Sequence, residues 1–313
     1  MIRGKANLRY ELIHSILQDS NAMVTVSELC QYAGVSRSGY YRWVSAKDAR
    51  MEREMQDRRD FELIRQAYSF RGYDKGSRGI CMRLLHMGIR MNRKKVIRLM
   101  KKYDLFCPIR KANPYRRMAK ALRTNVVADN LLKREFGSYG PRKVLLTDIT
   151  YIPLGKDFIY LVVMLDLCTK QVLSYELSTT LEVDFVLNAL EKLAVRHPEC
   201  VDSDVMIHSD QGFHYTSTKF RELLGDLGLR QSMSRRGNCW DNAPQESFFG
   251  HMKDELRAAS ENWRSLRDVS ASIDDWMDYY NNDRYHWDLQ KLSPNEYYEF
   301  ITTGAYPDGM CLP

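Results

Sequence analysis

Between residues 144 and 255 the spacing of apolar and polar positions changes period repeatedly, and each change marks a new element. Val144 to Tyr151, Phe158 to Asp166 and about 171 to 177 are short apolar, β-branched runs that read as strands, the last two joined by the turn Cys168-Thr169-Lys170. Val183, Val186, Leu187, Leu190 and Ala194 then recur at i, i+3, i+4, i+7 and i+11, which predicts a helix with one apolar face. A fourth strand ends at Asp210. A second helix gathers Phe220, Leu223, Leu224 and Leu227 on one side, and a fifth strand covers about 229 to 233. A third helix opens at Asn242, with Pro244 in its first turn and Gln245 as a capping-box partner.

The N-terminal part carries only helical signals. Val26 to Ala33 predicts a short helix, Gly34 a tight turn, and Ser36 the cap of a helix through Tyr40, Tyr41 and Trp43, a helix-turn-helix arrangement. A second such unit comprises a helix over Phe61 to Ile64, a break at Gly72, Gly76 and Gly79, a helix over Ile80 to Leu85, and a basic helix from Asn92. That last helix puts Val96, Leu99 and Met100 on one face and leaves Arg93, Lys94, Arg98 and Lys101 off it. From Lys101 to Lys143 there are twelve basic and three acidic residues, three prolines and little periodicity, a basic linker with one short helix near Arg123 to Leu132.

Charge sharpens this division. Residues 1 to 143 hold 32 Lys and Arg against 13 Asp and Glu, whereas the remaining 170 hold 15 against 27. A basic half suits phosphates and an acidic half suits metal ions. The longest apolar run, Phe158 to Leu165, is far short of the roughly 20 residues that span a bilayer, and Glu11 and His14 stand where a signal peptide is apolar. The expectation is a cytoplasmic, nucleoid-associated protein with no membrane partner. The seven cysteines form no Cys-x-x-Cys pair, so neither a zinc site nor a disulfide framework is indicated.

Three carboxylates stand out by context. Asp148 lies within the first strand, Asp210 just past the fourth, and Glu246 in the first turns of the third helix, with thirty-five residues between the last two. Converging carboxylates without His or Cys suit hard cations, above all Mg²⁺. Asp166 also ends a strand, but it adjoins a tight turn and is set aside.

The strings around these residues identify a family. Thr147-Asp148-Ile149-Thr150-Tyr151, His208-Ser209-Asp210-Gln211-Gly212 with Tyr215-Thr216-Ser217, and Ser234-Arg235-Arg236-Gly237-Asn238-Cys239-Trp240-Asp241-Asn242-Ala243 leading to Glu246-Ser247-Phe248 occur in order. Tyr280-Asn281-Asn282, Arg284, His286 and Ser293-Pro294 follow. The chain resembles the DDE transposases and retroviral-type integrases, most closely the catalytic (OrfB) proteins of two-reading-frame bacterial insertion sequences, over about residues 60 to 300. It departs from the family at Leu145, where Trp is common, at His214, where Gln is usual, and at Trp287, where a small residue is common. The zinc ligands of viral integrases are missing.

The resemblance implies an α/β, ribonuclease-H-like fold, a mixed five-stranded sheet flanked by helices and preceded by a small all-α helix-turn-helix region. The expected segments are an N-terminal helix-turn-helix-like part (1–56), a second DNA-binding helical unit (57–106), a basic linker (107–143), the catalytic integrase core (144–300) and a tail (301–313). Asp148, Asp210 and Glu246 are the implied catalytic and metal-binding residues, holding two Mg²⁺ ions for which Mn²⁺ substitutes. His208 and Asn242 shape the site. Lys253, two helical turns after Glu246, is the implied DNA contact beside the cleaved phosphate. Arg235, Arg236, Arg93 and Lys94 are further DNA-binding candidates.

The implied activity is metal-dependent nicking of insertion-sequence termini at the 3′ end and strand transfer. A structure-selective nuclease of the same fold and a catalytically silent DNA-binding regulator are the alternatives. The implied partners are double-stranded DNA (terminal inverted repeats and target), further copies of the chain on that DNA, and an upstream-frame OrfA protein, although the chain opens at Met1 without heptads.

Overall fold

The computed structural model describes residues 2–18, 24–73, 75–108, 131–132, 139–234 and 243–307. The chain divides into two compact units, Met1–Leu63 and Ile64–Pro313.

In the first unit, α1 (Ile2–Gln18), α2 (Val26–Ala33) and α3 (Arg37–Ser45) enclose a small core of Ile13, Cys30 and Tyr40, against which Tyr10, Leu29 and Trp43 pack. Thr25 and Glu28 form a capping box at the start of α2, Gly34 ends it in the left-handed region (φ 61°), and the Ser36 side chain caps α3. The turn chemistry read from Gly34 and Ser36 therefore builds the expected helix pair. The 23-residue α4 (Lys47–Ser69) is far longer than the Phe61 to Ile64 stretch that its apolar positions reveal. Its first half is charged all round, so no apolar stripe announces it.

The second unit takes in the last turns of α4 and continues with a helical pair, α5 (Ser77–His86) and α6 (Arg93–Lys102). Ile80, Met82, Leu84, Val96, Leu99 and Met100 are buried, and Asn92 caps α6 by accepting from the Lys94 amide. The segment before α5, and α5 itself, are tied to the C-terminal part of the unit. Tyr73 donates to Asp275 (2.6 Å), Arg71 to Asp278 (2.7 Å), and Arg83 to the Tyr285 hydroxyl (2.9 Å). Of the basic linker, only 107–108, 131–132 and 139–143 are described. The short helix expected near Arg123 lies outside the described residues, except that Leu132 is buried and the Leu131 amide donates to the Ser232 hydroxyl (3.0 Å).

Five strands form one sheet in the order β3-β2-β1-β4-β5. β1 (Val144–Leu154), β2 (Asp157–Asp166) and β3 (Val172–Ser178) make an antiparallel meander, and β4 (Met206–Ser209) and β5 (Arg230–Met233) add to β1 in parallel. The parallel pairings demand crossovers. α7 (Asp184–Arg196) supplies the first, and α8 (Phe213–Thr216) with α9 (Thr218–Asp226) the second. α10 (Ala243–Glu255), α11 (Arg257–Ser260), α12 (Leu266–Asn282) and α13 (Pro294–Thr303) complete the unit. This is the ribonuclease-H-like arrangement.

The alternation along β1 and β2 sorts the core into two layers. Leu145, Val162 and Met164 join α7 and α9 residues such as Val186, Leu190 and Phe220. Leu146, Val163 and Leu165 join Phe248, Met252, Ile273 and Trp276 of α10 and α12. Each such buried aliphatic or aromatic side chain contributes roughly 1.5–3 kcal/mol. The consequence for Asp148 is positional: two residues after Leu146, it lies on the face that α10 covers. No described helix is long and apolar enough to cross a membrane.

Candidate active site

β1 and β4 bring the first two carboxylates together. Their parallel register pairs Leu146 with His208, and two further residues along each chain stand Asp148 and Asp210. Asp148 is held by its partner strand at Val163, and its Oδ1 accepts from the Ile149 amide (2.8 Å). Asp210 is aimed by its own turn, in which Oδ1 accepts from the Gly212 amide (2.8 Å). A Cβ on Gly212 would stand 2.8 Å from that same oxygen, so only glycine leaves the carboxylate where it is. The residues around the two carboxylates are bonded to their neighbours. His208 Nδ1 lies 2.9 Å from the Ser232 hydroxyl, Gln211 donates to the Ser234 carbonyl (2.9 Å), and Thr147 meets the buried Tyr215 hydroxyl (3.2 Å).

The third carboxylate arrives on α10. Phe248, Phe249 and Met252 bury one face of this helix in the core, leaving Glu246 and Lys253 exposed on the other. Gln245, fully buried, donates its Nε2 to the carbonyl of Val163 (3.4 Å), the residue paired with Asp148. That bond sets the first turn of α10 against the rung of the sheet that carries Asp148. Asn242, expected to cap this helix, lies outside the described residues, as do Arg235 and Arg236.

Electrostatics records the convergence. The Asp148 carboxyl is pushed up to about 8, first by burial, then by the charges of Asp210 and Glu246, while the Ile149 hydrogen bond and Lys253 oppose the rise. Asp210 is raised as well by burial, against the Gly212 amide and His214. Asp148 therefore feels the charges of the β4-end carboxylate and of two α10 side chains. Among the described residues no three His, Cys, Asp or Glu side chains already stand close enough to grip a metal ion. Arg93 and Lys94 are exposed at the start of α6, where Arg93 Nε donates to the Ser77 hydroxyl (3.3 Å), and take no part in this cluster.

Asp166 is fully buried and its carboxylate is consumed. It accepts from the Arg142 amide (2.8 Å) and guanidinium (2.9 Å) and from the amides of Cys168 (2.8 Å) and Thr169 (3.1 Å). Four donors leave it as the clamp of the β2–β3 turn.

Comparison with known proteins agrees with this architecture. An integrase core domain matches residues 138–239 and a second such model residues 227–294, while an HTH-like domain matches residues 55–113. The insertion element IS600 31 kDa protein of Shigella sonnei is 32% identical over 273 residues, covering 87% of this chain and 97% of its own. The putative transposase for insertion sequence element IS986/IS6110 of Mycobacterium tuberculosis is 30% identical over 271 residues, covering 84% and 94%. Among solved structures, the HTLV-2 integrase catalytic core domain in complex with magnesium (TM-score 0.40, 16% identity, 49% of this chain and 94% of that one) and the BIV integrase catalytic core (0.40, 20%, 52% and 98%) are similar. With integrase core models matched over residues 138–294, an HTH-like domain before them and relatives aligned over nearly their whole length, the chain belongs to the integrase-core transposases of bacterial insertion sequences.

Proposed function

We propose that the chain is a DNA transposase that uses Asp148, Asp210 and Glu246 to nick the 3′ end of its element's termini with water and then to join the freed 3′-hydroxyl to another DNA strand. The observation that carries this reading is geometric: the β1–β4 register sets Asp148 beside Asp210, and the Gln245 bond to Val163 sets the first turn of α10, with Glu246, against the rung that carries Asp148. A buried carboxyl that feels two further carboxylates costs stability and serves no packing purpose, the pattern of a site kept for chemistry.

The donor set fits divalent magnesium. The candidate donors are carboxylate oxygens without His or Cys, and the charges of Asp210 and Glu246 that raise Asp148 are what a dication would relieve. Asp148 and Asp210 would hold one ion, Asp148 and Glu246 the other, and Mn²⁺ would substitute. Bound there, two ions supply charge stabilisation for both the attacking and the leaving oxygen of an in-line displacement. The chain's own groups do the positioning. Lys253, whose charge already reaches Asp148, holds the phosphate beside the cut, and Gly212 and Gln245 fix two of the three acids relative to the sheet. No covalent protein intermediate is needed, so no nucleophilic Ser or Tyr is required.

In this reading residues 57–106 grip duplex DNA, with Arg93 and Lys94 on its phosphates, and residues 107–143 act as a basic linker. Arg235 and Arg236 contact the strand near the catalytic helix, and several copies of the chain assemble on the DNA. The test is a labelled duplex carrying the element's terminus, incubated with Mg²⁺ and a target plasmid. A 3′-end nick followed by a joined product is expected. Cleavage with no joined product would leave a nuclease, and neither product would overturn the reading.

A further inference from the structure

Away from the carboxylates, α5, the start of α6 and the 286–292 turn enclose a cleft of about 440 Å³. That volume falls in the roughly 300–1,000 Å³ range of sites that take small ligands. Its floor is apolar, from Met82, Leu85 and Ile89, and its rim is cationic, from Arg90, Arg93 and Lys291. No acidic side chain lines it among the described residues.

Trp287 forms one wall and is 52% exposed, a large indole left half outside the core. Two cations attend its ring, Lys291 at 5.5 Å and Arg78 at 5.9 Å from the centroid. The turn that presents it is strained. Gln290 and Lys291 both lie in the left-handed region (φ 56° and 67°), and the turn is closed by backbone bonds from Lys291 to His286 (3.0 Å) and from His286 to Leu292 (2.9 Å). Strain of this kind in non-glycine residues gathers at binding sites.

We infer that this cleft takes an unpaired nucleotide of a DNA strand, its base stacked on Trp287 over the apolar floor and its phosphates on Arg90, Arg93 and Lys291. An apolar floor alone fits any hydrophobe and a cationic rim alone fits any anion. Together with a half-exposed indole they select a flat aromatic ring joined to phosphate. A strand rather than a free nucleotide is indicated because the rim continues at Arg93 onto the exposed Lys94, Arg98 and Lys101 of α6, which offers charge to the neighbouring phosphates. A base stacked inside a duplex cannot enter the cleft, so the ligand is an extension or frayed end.

The inference rests on the proposed action on DNA, and its test separates the two. Fluorescence anisotropy compares the full chain on two duplexes that differ only by a short single-stranded extension. The wild type is expected to prefer the extended duplex. Trp287→Ala should lose that preference by about tenfold, Trp287→Phe should keep most of it, and Lys291→Glu should lose it while leaving the indole in place. Affinity for the blunt duplex should be the same in all. Photocrosslinking from 5-iododeoxyuridine in the extension should label the peptide that contains Trp287. Equal wild-type affinity for the two duplexes, a preference that survives Trp287→Ala and Lys291→Glu, or crosslinks only elsewhere would overturn the inference. Displacement of the extension by dAMP at equal concentration would replace the strand with a free nucleotide. A chain that nicks duplex ends yet ignores the extension refutes this cleft alone, whereas one that binds neither duplex refutes the transposase reading with it.

Discussion

Arg284 grips the carboxylate of Glu255 with Nε and Nη2, at 2.9 to 3.3 Å, and so pins the last residue of α10, the helix that carries Glu246 and Lys253, to the chain beyond α12. Trp276 Nε1 adds a third donor group to the same carboxylate (3.0 Å). Glu255 keeps only 3% of its side chain exposed, so removal of its partner strands a buried charge. Arg284→Ala should cost about 3–5 kcal/mol in urea unfolding, and Arg284→Lys should recover only part of it because an ammonium cannot reproduce the fork. A loss below about 1 kcal/mol would show that α10 is held by its apolar face alone.

The neighbouring His286 predicts a pH effect of known sign. Burial, then the charge of Arg284, then Lys170 and His251, holds its imidazole well below the ordinary value of 6.5. The unfolded chain takes up a proton near pH 6.5 that the folded chain refuses, so its contribution is complete above pH 6.5 and is lost as the pH falls. Thermal melts between pH 7 and 5 should show a falling Tm, with a shallower slope in His286→Gln. Equal slopes for the two proteins would mean that the ring is protonated in place.

Much of this arrangement was legible in the sequence, and the limits are physical. β2 was expected from Phe158 to Asp166 and runs Asp157–Asp166; the helix expected through Val183 and Ala194 is α7, Asp184–Arg196. Those elements bury a periodic face, which leaves a signal. α4 does not, because Lys47, Asp48, Arg50, Glu52, Arg53 and Glu54 surround it with charge. α12 buries Val269, Ile273, Trp276 and Tyr280 at i, i+4, i+7 and i+11, a helical stripe that is present in the sequence ahead of the Asn281-Asn282 pair. The partners of Glu255 and Gln245, and the Arg142 guanidinium on Asp166, lie far away in sequence, so only the fold could reveal them.

Gly212 offers a test of positioning. Its φ of −63° is open to any residue, so alanine strains no backbone there, but its Cβ would press on Asp210 Oδ1 at 2.8 Å. Gly212→Ala should therefore fold normally and lose about a hundredfold in end nicking, the scale of an ångström's misplacement. Unchanged nicking rates with an unchanged Tm would show that Asp210 need not stay where its turn aims it.

Lys253 divides charge from structure. It is exposed on α10, so Lys253→Ala should shift stability by less than about 0.5 kcal/mol while lowering both nicking and joining. Lys253→Arg should restore part of the activity, since the charge survives in a planar form. Full activity in the alanine variant would make it an ordinary surface lysine.

The most direct measurement is the yield of joined DNA product, in Mg²⁺, from Asp148→Asn, Asp210→Asn and Glu246→Gln, each checked for duplex affinity and thermal stability. Every one of the three should give no detectable product while binding DNA as the wild type does, because each substitution removes one ligand charge from a site that needs all three. Near-normal joining by any one of them would contradict the account.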